Sequence, residues 1–130
     1  MTTSTTYYSL RIELTRIEPL IWRRLLVPAT ITLPKLHRAI QGAMGWTNSH
    51  LHQFHIDQVR YGEPDPYDDA DLMDEKGVKL SALLVGQVRE FIYDYDFGDD
   101  WQHRVVLEQS QPGHPAWNGS LCAAGQRACL

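Results

Sequence analysis

The residues that could carry chemistry are concentrated between positions 92 and 103, where the sequence reads IYDYDFGDDWQH. Aromatic and acidic residues alternate up to Gly98-Asp99 and the alternation then resumes, which predicts a β-hairpin that turns at this dipeptide. In that register Asp94 lies opposite His103, with Cβ atoms about 4.5–5.5 Å apart. An aspartate that orients a histidine serves general-base catalysis and supports metal ligands, so Asp94 and His103 are the candidate catalytic residues. The same pair is common in purely structural settings, and both interpretations stay open.

Three further histidines lie close together in the sequence, at His50, His52 and His55. Histidine is a common ligand of transition metals, but side chains on a strand alternate between its two faces. His50 and His52 therefore share one face while His55 points to the other, so the three cannot converge without a bulge. His52 also shares its face with Phe54, which favours a buried ring whose hydrogen bonds are satisfied within the protein.

A divalent-metal site would combine one of these histidines with the acidic hairpin. The candidate metal ligands are His52, Asp94, Asp96 and His103. A cation held by such a set would activate water as a nucleophile, which is the chemistry of metal-dependent hydrolases and nucleases. The sequence contains no complete catalytic motif, and beyond this divalent metal it indicates no cofactor.

Nucleic-acid binding is a third possibility, because aromatic and basic residues both occur in groups. Tyr93, Tyr95 and Phe97 share one hairpin face, where strand aromatics can stack on bases. Their acidic neighbours would repel a phosphate backbone, so we expect these rings to cover a helix or a second layer instead. The local group of basic residues consists of Arg11, Arg16, Arg23 and Arg24. The net charge of −4, from 12 basic and 16 acidic residues, argues against binding driven mainly by phosphate contacts.

The elements that must position these residues begin with a hairpin near the N-terminus. Residues 8–14 and 21–27 each alternate apolar and polar side chains, which indicates two half-buried strands. With the loop placed between them, Glu13 faces Arg24 across the pair. One face of this hairpin is then apolar, and the other carries ion pairs.

A helix follows, with Thr32 as its N-cap, Pro34 in its first turn and Gly45 at its end. Its apolar stripe consists of Leu36, Ile40, Ala43 and Met44. The pattern at 50–61 is typical of a strand. Residues 62–77 are rich in Pro, Asp and Gly, so they are expected to form a long surface loop.

The order of these elements predicts an α+β domain. Its sheet is mainly antiparallel, has about five strands and packs on one main helix, with a second short helix at 80–84. We assign residues 1–6 to a disordered leader, 7–110 to the single domain and 111–130 to an irregular C-terminal tail.

The composition, with 43 % apolar and 22 % charged residues, is that of an ordinary soluble protein. No apolar run approaches the ~20 residues needed to cross a bilayer, and the N-terminus lacks the charged and apolar parts of a secretory signal. Cys122 and Cys129 are too few for a disulfide scaffold, and one such pair is a weak zinc signal. We therefore place the protein in the cytoplasm, without a membrane partner.

Four blocks of sequence carry a resemblance to a known family over roughly residues 7–125. They are Leu25-Leu26-Val27-Pro28 followed by Leu33 and Leu36-His37; the run from Ile40 to Trp46; His50-Leu-His-Gln-Phe54 with Tyr61-Gly62; and the run from Tyr93 to Trp101 with His103. On these residues the chain resembles the plasmid pRiA4b ORF-3-like family, which is associated with plasmids and transposable elements. The resemblance implies a mobile-element origin. Some members carry resolvase-like names, but this chain has no nucleophilic Ser or Tyr among clustered arginines in a recognisable motif.

The chain departs from this family at its end. Relatives look like Cys-x-x-Gly-x-Arg-Ala-Cys followed by Pro-Pro-Glu-Asp and a Gly-rich stretch, whereas here Cys129 is followed only by Leu130. The tail is therefore expected to be short relative to the family. Apolar surface left uncovered by the missing segment would favour self-association.

Strong structural patterning beside an incomplete catalytic set favours a non-catalytic binding or protein-interaction module. Its expected partner is another protein or a second copy of the chain. The alternative is a hydrolase or nuclease that depends on a divalent metal held by the His/Asp cluster. Nucleic-acid binding through the arginine group is the least favoured hypothesis.

Overall fold

A computed structural model describes residues 5–15, 20–46, 51–64, 72–95, 101–114, 117 and 119–126, with residues 122–126 described by their backbone alone. Within these ranges the chain forms eight strands and two helices. They are β1 (Thr6–Leu14), β2 (Ile21–Pro28), α1 (Leu33–Met44), β3 (His52–Ile56), β4 (Val59–Gly62), β5 (Leu72–Asp74), α2 (Leu80–Leu83), β6 (Glu90–Tyr95), β7 (Trp101–Pro112) and β8 (Leu121–Gln126).

All the strands belong to one sheet, in the order β5-β4-β3-β6-β7-β1-β2-β8. Neighbouring strands are antiparallel except β4 and β5, which are parallel. The α+β class is confirmed, and the sheet is mixed. The predicted number of about five strands is too low, because the sequence pattern does not separate β3 from β4, β5 lies in the expected loop and β8 lies in the expected tail.

A tight turn at Asp57 and Gln58 separates β3 from β4. Both residues have positive φ, at 49° and 68°, and Ile56 pairs with Val59 across them. This is the geometry of a two-residue type I′ hairpin turn, which asparagine and glycine normally supply. The dipeptide Asp-Gln carries no such signal, so the sequence pattern reads as one continuous strand.

Helix α1 forms where the sequence predicts it. Thr32 is its N-cap, with extended backbone, and a proline lies in the first turn. Gly45 ends the helix in the left-handed region, at φ 79°, which glycine adopts without a Cβ clash. At the same end the buried Arg23 of β2 donates from Nε to the carbonyl oxygen of Ala43 at 2.9 Å. This bond satisfies a helix carbonyl that has no partner within the helix.

The hydrophobic core lies between the two helices and the inward face of the sheet. Its fully buried apolar side chains include Leu10, Ile12, Val27, Leu33, Leu36, Ile40, Phe54, Leu80 and Val105. In the first hairpin Leu10 pairs with Leu25, and Glu13 pairs with Trp22 rather than Arg24. This register differs from the predicted one by two residues, so the predicted faces are retained although the partners change.

The described strands extend past the predicted bounds at both ends of the domain. Strand β1 already includes Thr6, and the backbone N–H of Gly113 donates to the carbonyl of Thr5 at 2.7 Å. Strand β7 extends to Pro112, and β8 pairs with β2 where an irregular tail was expected. Residues 1–4 and 127–130 lie outside the described residues. Among the described helices, neither has the length and apolar character that crossing a membrane requires.

Candidate functional site

The hairpin of β6 and β7 has a different register from the predicted one. Tyr93 pairs with His103, and Asp94 pairs with Gln102. The predicted pairing of Asp94 with His103 is therefore wrong. Because an odd number of residues, 96–100, connects the two strands, the register moves by one residue, and a shift of one residue places the two side chains on opposite faces.

Of the four predicted metal ligands, the three that the structure describes point in two directions. His52 and His103 face the core and are buried. Asp94 lies on the opposite face, where its Oδ2 is 3.2 Å from Nε2 of His55. Asp96 lies outside the described residues. Among the residues that are described, no three His, Cys, Asp or Glu side chains are grouped so as to hold a metal ion.

A cluster of buried polar side chains lies instead between α1 and the sheet. We call it the polar core cluster, and it consists of His37, Gln41, His52, Glu75 and Tyr93. Helix α1 contributes His37 and Gln41, which are one turn apart on its inward side. Strands β3 and β6 contribute His52 and Tyr93, and Glu75 directly follows β5. Five polar side chains in a core must satisfy one another's hydrogen bonds, since water cannot do so.

The hydroxyl of Tyr93 joins the helix to the sheet. Gln41 donates to it from Nε2 at 3.0 Å, and Nδ1 of His37 lies 2.6 Å from it. Burial raises the pKa of Tyr93 well above its usual value, with smaller upward contributions from Tyr95 and Glu75, against a lowering by the Gln41 bond. The phenol therefore keeps its proton and donates a hydrogen bond to Nδ1 of His37, which leaves Nε2 as the ring nitrogen that carries a hydrogen.

His52 is oriented by a carboxylate. Its Nε2 lies 2.7 Å from Oε1 of Glu75, and both side chains are buried. The carboxylate accepts this bond, so Nε2 of His52 carries the hydrogen. The ring also stacks on His37, with centroids 3.6 Å apart and an interplanar angle of 12°. The expectation that His52 is buried with a satisfied ring is confirmed.

Sequence reasoning missed most of this cluster. His37 and Gln41 fall four residues apart among the core-facing positions of α1, and polar residues at such positions are the signal that could have found them. Glu75 lies in the segment that was expected to be a surface loop, so no sequence signal marked it. The cluster holds both imidazoles in defined tautomers, but its burial makes it a structural connection between helix and sheet rather than an open substrate site.

His103 belongs to a neighbouring group of rings, which we call the aromatic end: Trp46, Tyr95, Trp101 and His103. The ring of Trp46 meets His103 edge-on at 4.9 Å, stacks on Tyr95 at 4.9 Å and lies 5.9 Å from Trp101. Nδ1 of His103 donates to the carbonyl of Tyr93 at 3.1 Å. Burial lowers the pKa of His103 to about 4, against smaller upward effects of backbone bonds to Tyr93 and Trp101. The ring is neutral at pH 7, and its Nε2 has no hydrogen-bond partner among the described residues.

The other side of the sheet, which we call the outer face, carries paired charges around a tryptophan. Arg24 forms two hydrogen bonds to Glu108, at 2.6 and 3.1 Å. Its pKa is raised mainly by this bond, and the pKa of Glu108 is lowered by it. Arg11 bonds Glu13 at 3.1 Å. The guanidinium carbons of Arg11 and Arg24 lie 4.2 and 5.2 Å from the ring centroid of Trp22.

These contacts correct the idea of a free arginine group. Arg11 and Arg24 are paired with carboxylates, and Arg23 points to the core, where it bonds α1. Arg16 lies outside the described residues. The described part of this group is therefore not a continuous basic surface of the kind that phosphate contacts need.

The fold and the side-chain arrangement define a class of protein: an α+β domain with one mixed sheet, helices on one face and a buried His–Tyr–Glu cluster between them. The chain belongs to the plasmid pRiA4b ORF-3-like protein family, whose model matches residues 6–130.

Two similar proteins extend this result. An uncharacterized protein of Sinorhizobium fredii, y4hQ, is 41 % identical over 104 residues, which cover 79 % of this chain and 54 % of the relative. The chain thus spans about half the length of that curated relative. The crystal structure of a protein of unknown function from Methanosarcina mazei Go1, MM3350, matches with a TM-score of 0.87 and 37 % identity, over 98 % of this chain and 74 % of the other.

Proposed function

We propose that the chain is a non-catalytic interaction domain that binds a second copy of itself through the outer face. The observation that carries this proposal is Trp22, a half-buried indole flanked by two guanidinium groups on a sheet face whose described charges are already paired. Tryptophan and arginine dominate binding energy in protein interfaces when they are near the centre of the contact.

The side chains around Trp22 form two rows across neighbouring strands. One row runs from Trp22 through Glu13 and Arg104 to Ile92, as the strand registers require. The other runs through Arg24, Arg11, Val106 and Glu90. Apolar and charged residues are therefore mixed over four adjacent strands, β2, β1, β7 and β6, which is the composition of a non-obligate interface.

Charge pairing lowers the cost of covering this face. Arg104 contacts Glu90 at 2.6 Å and Glu13 at 3.6 Å, in addition to the pairs of Arg11 and Arg24. Three arginines and three glutamates of this face are thus paired with one another, and Asp94 lies beside His55. Because charges of both signs are interspersed, two copies that meet across a twofold axis can avoid placing like charges opposite each other.

The available area is of the right order for a dimer. With strands about 4.8 Å apart and residues about 3.4 Å apart along each strand, the five strands from β3 to β2 span roughly 24 Å by 25 Å. Protruding side chains increase the surface area above this flat estimate. A standard interface buries about 800 Å² per partner. The flat area of about 600 Å² that these spacings give is at the lower limit of specific interfaces, about 600 Å² per partner, so the outer face is large enough for a small dimer interface.

Sedimentation equilibrium of the full chain at pH 7, from about 1 µM to 1 mM, tests the proposal. We expect a monomer–dimer equilibrium, and we expect Trp22→Ser to raise its Kd at least about tenfold, since a central tryptophan contributes 2 kcal/mol or more. Met73→Ser is the control, because Met73 is an exposed apolar residue that lies on edge strand β5 rather than beside Trp22. A monomer throughout the range, or an equal effect of both variants, would reject the second copy as partner.

The metal-dependent hydrolase is the alternative function, and the geometry gives it less support. Asp94 faces away from His103, so these two cannot share a cation in this register. The same protein, titrated with zinc and manganese in a calorimeter, distinguishes the two functions. Stoichiometric binding that disappears in both Asp94→Ala and His103→Ala would favour the hydrolase over the interaction domain.

A further inference from the structure

The inward side of the sheet carries a feature that the outer-face proposal does not use. The ring of His103 is completely buried, with 0 % relative exposure. Its Nδ1 donates to the Tyr93 carbonyl, while Nε2 has no partner in the part of the chain that the structure describes. Buried polar atoms in proteins nearly always have a hydrogen-bond partner, so an unpaired one needs an explanation.

Among the described residues, the side chains that contact this imidazole are aromatic. Trp46 contacts His103 edge-on, and the Trp46 ring contacts those of Tyr95 and Trp101. Trp46 and Trp101 are only half-buried, so the aromatic end reaches the surface. Trp46 follows the end of α1, and Trp101 is the first residue of β7. Both rings therefore lie next to the ends of elements.

These properties limit the chemistry of a ligand. A neutral imidazole nitrogen without a hydrogen accepts a hydrogen bond but cannot donate one, so it does not favour carboxylate or phosphate. Flat aromatic walls favour a flat ring, which gains both dispersion contacts and favourable ring geometry. Sites with an apolar aromatic lining and one placed polar atom are typical of small-ligand recognition.

We propose that the aromatic end is a binding site for a planar aromatic ring with one hydrogen-bond donor, which Nε2 of His103 accepts. Such a ring occurs on small aromatic alcohols and amines. The site lies on the inner side of the sheet, so it is independent of the association proposed for the outer face.

Phenol and toluene form a matched pair of probes, because they have nearly the same shape and only phenol carries a donor. We expect NMR titration of the full chain to show that phenol binds about five- to tenfold more tightly than toluene, as one hydrogen bond to a buried acceptor provides. We also expect phenol to shift the side-chain ¹⁵N resonance of His103 Nε2, since this atom gains a bond, whereas toluene leaves it unchanged.

His103→Phe removes the lone pair and keeps a flat ring, so phenol and toluene should bind this variant equally. His55→Phe, on the outer face, is the control that should retain the preference for phenol. Equal binding of both probes to the unmodified chain, or no binding of either, would overturn the proposal. If His103→Phe does not fold, the ¹⁵N measurement decides: an unchanged Nε2 resonance at saturating phenol overturns the site.

Discussion

The ring of His103 is held in the core by its hydrogen bond to the Tyr93 carbonyl and by aromatic contacts, and these surroundings determine when it accepts a proton. Burial lowers its pKa from the usual 6.5 to about 4. Between these two values the unfolded chain carries the proton on this residue and the folded chain does not. The unfolded state then binds more protons, so the free energy of unfolding falls as the pH falls.

We therefore predict an acid-dependent loss of stability that originates at His103. It begins as the pH falls below about 6.5 and is complete near pH 4, where it amounts to roughly 3 kcal/mol at 1.36 kcal/mol per pKa unit. Urea unfolding of the unmodified chain and of His103→Phe at pH 7, 6, 5 and 4.5 measures it. The variant is expected to be less stable at pH 7 but to lose less stability on acidification. Parallel curves for the two proteins would contradict this origin.

At this scale the sequence predicts which side chains are buried better than it predicts which side chains contact each other. The alternation around His52 was enough to predict a buried ring, because period-two patterns fix the face of a strand residue. The partner of that ring, Glu75, is distant in sequence and was hidden in a segment that resembles a loop. The pairing of Asp94 with His103 failed because it depended on one residue of register, which a hairpin pattern alone does not determine.

At the scale of elements, the turn between β3 and β4 contains a residue whose type is unfavourable for its backbone conformation. Gln58 adopts φ 68°, a conformation in which a side chain with a Cβ atom costs about 1–2 kcal/mol. We predict that Gln58→Gly stabilises the fold by about 0.5–1 kcal/mol, because glycine removes that cost but increases the entropy of the unfolded chain. Thermal or urea unfolding measures the gain. Gln58→Ala is the control, which keeps a Cβ and should give no gain.

Elements with a strong repeating pattern were predicted well, and the others were not. Helix α1 has an apolar stripe, a cap residue and a terminal glycine, so its bounds follow from local chemistry. Strand β5 has three residues, too few to show a period. Strand β8 reads LCAAGQ and has no alternation of large apolar residues. Both missed strands lie at the edges of the sheet, where backbone pairing with a neighbour, rather than a sequence pattern, makes the strand.

At the scale of the whole molecule, one polar network fastens the helical layer to the sheet. Glu75 holds His52, His52 stacks on His37, and His37 and Gln41 of α1 share the hydroxyl of Tyr93. The chain of contacts crosses from the β5 end of the sheet through β3 to the helix and back to β6. Apolar packing alone would leave α1 free to slide on the sheet, whereas a satisfied buried network specifies one position.

The energetic weight of this connection can be measured at Tyr93. We predict that Tyr93→Phe destabilises the fold by about 2 kcal/mol, since it removes one hydroxyl that bonds two buried polar side chains.

A double-mutant cycle with Gln41→Met measures the part that comes from the bond between Gln41 and Tyr93. Gln41→Met should cost about 1 kcal/mol less when residue 93 is already phenylalanine, because this bond is then absent. Tyr8→Phe, at a half-buried tyrosine of β1 outside the cluster, should change stability by less than about 0.5 kcal/mol. Additive effects of the two cluster substitutions would mean that helix and sheet are joined by apolar contacts, with the polar atoms contributing independently.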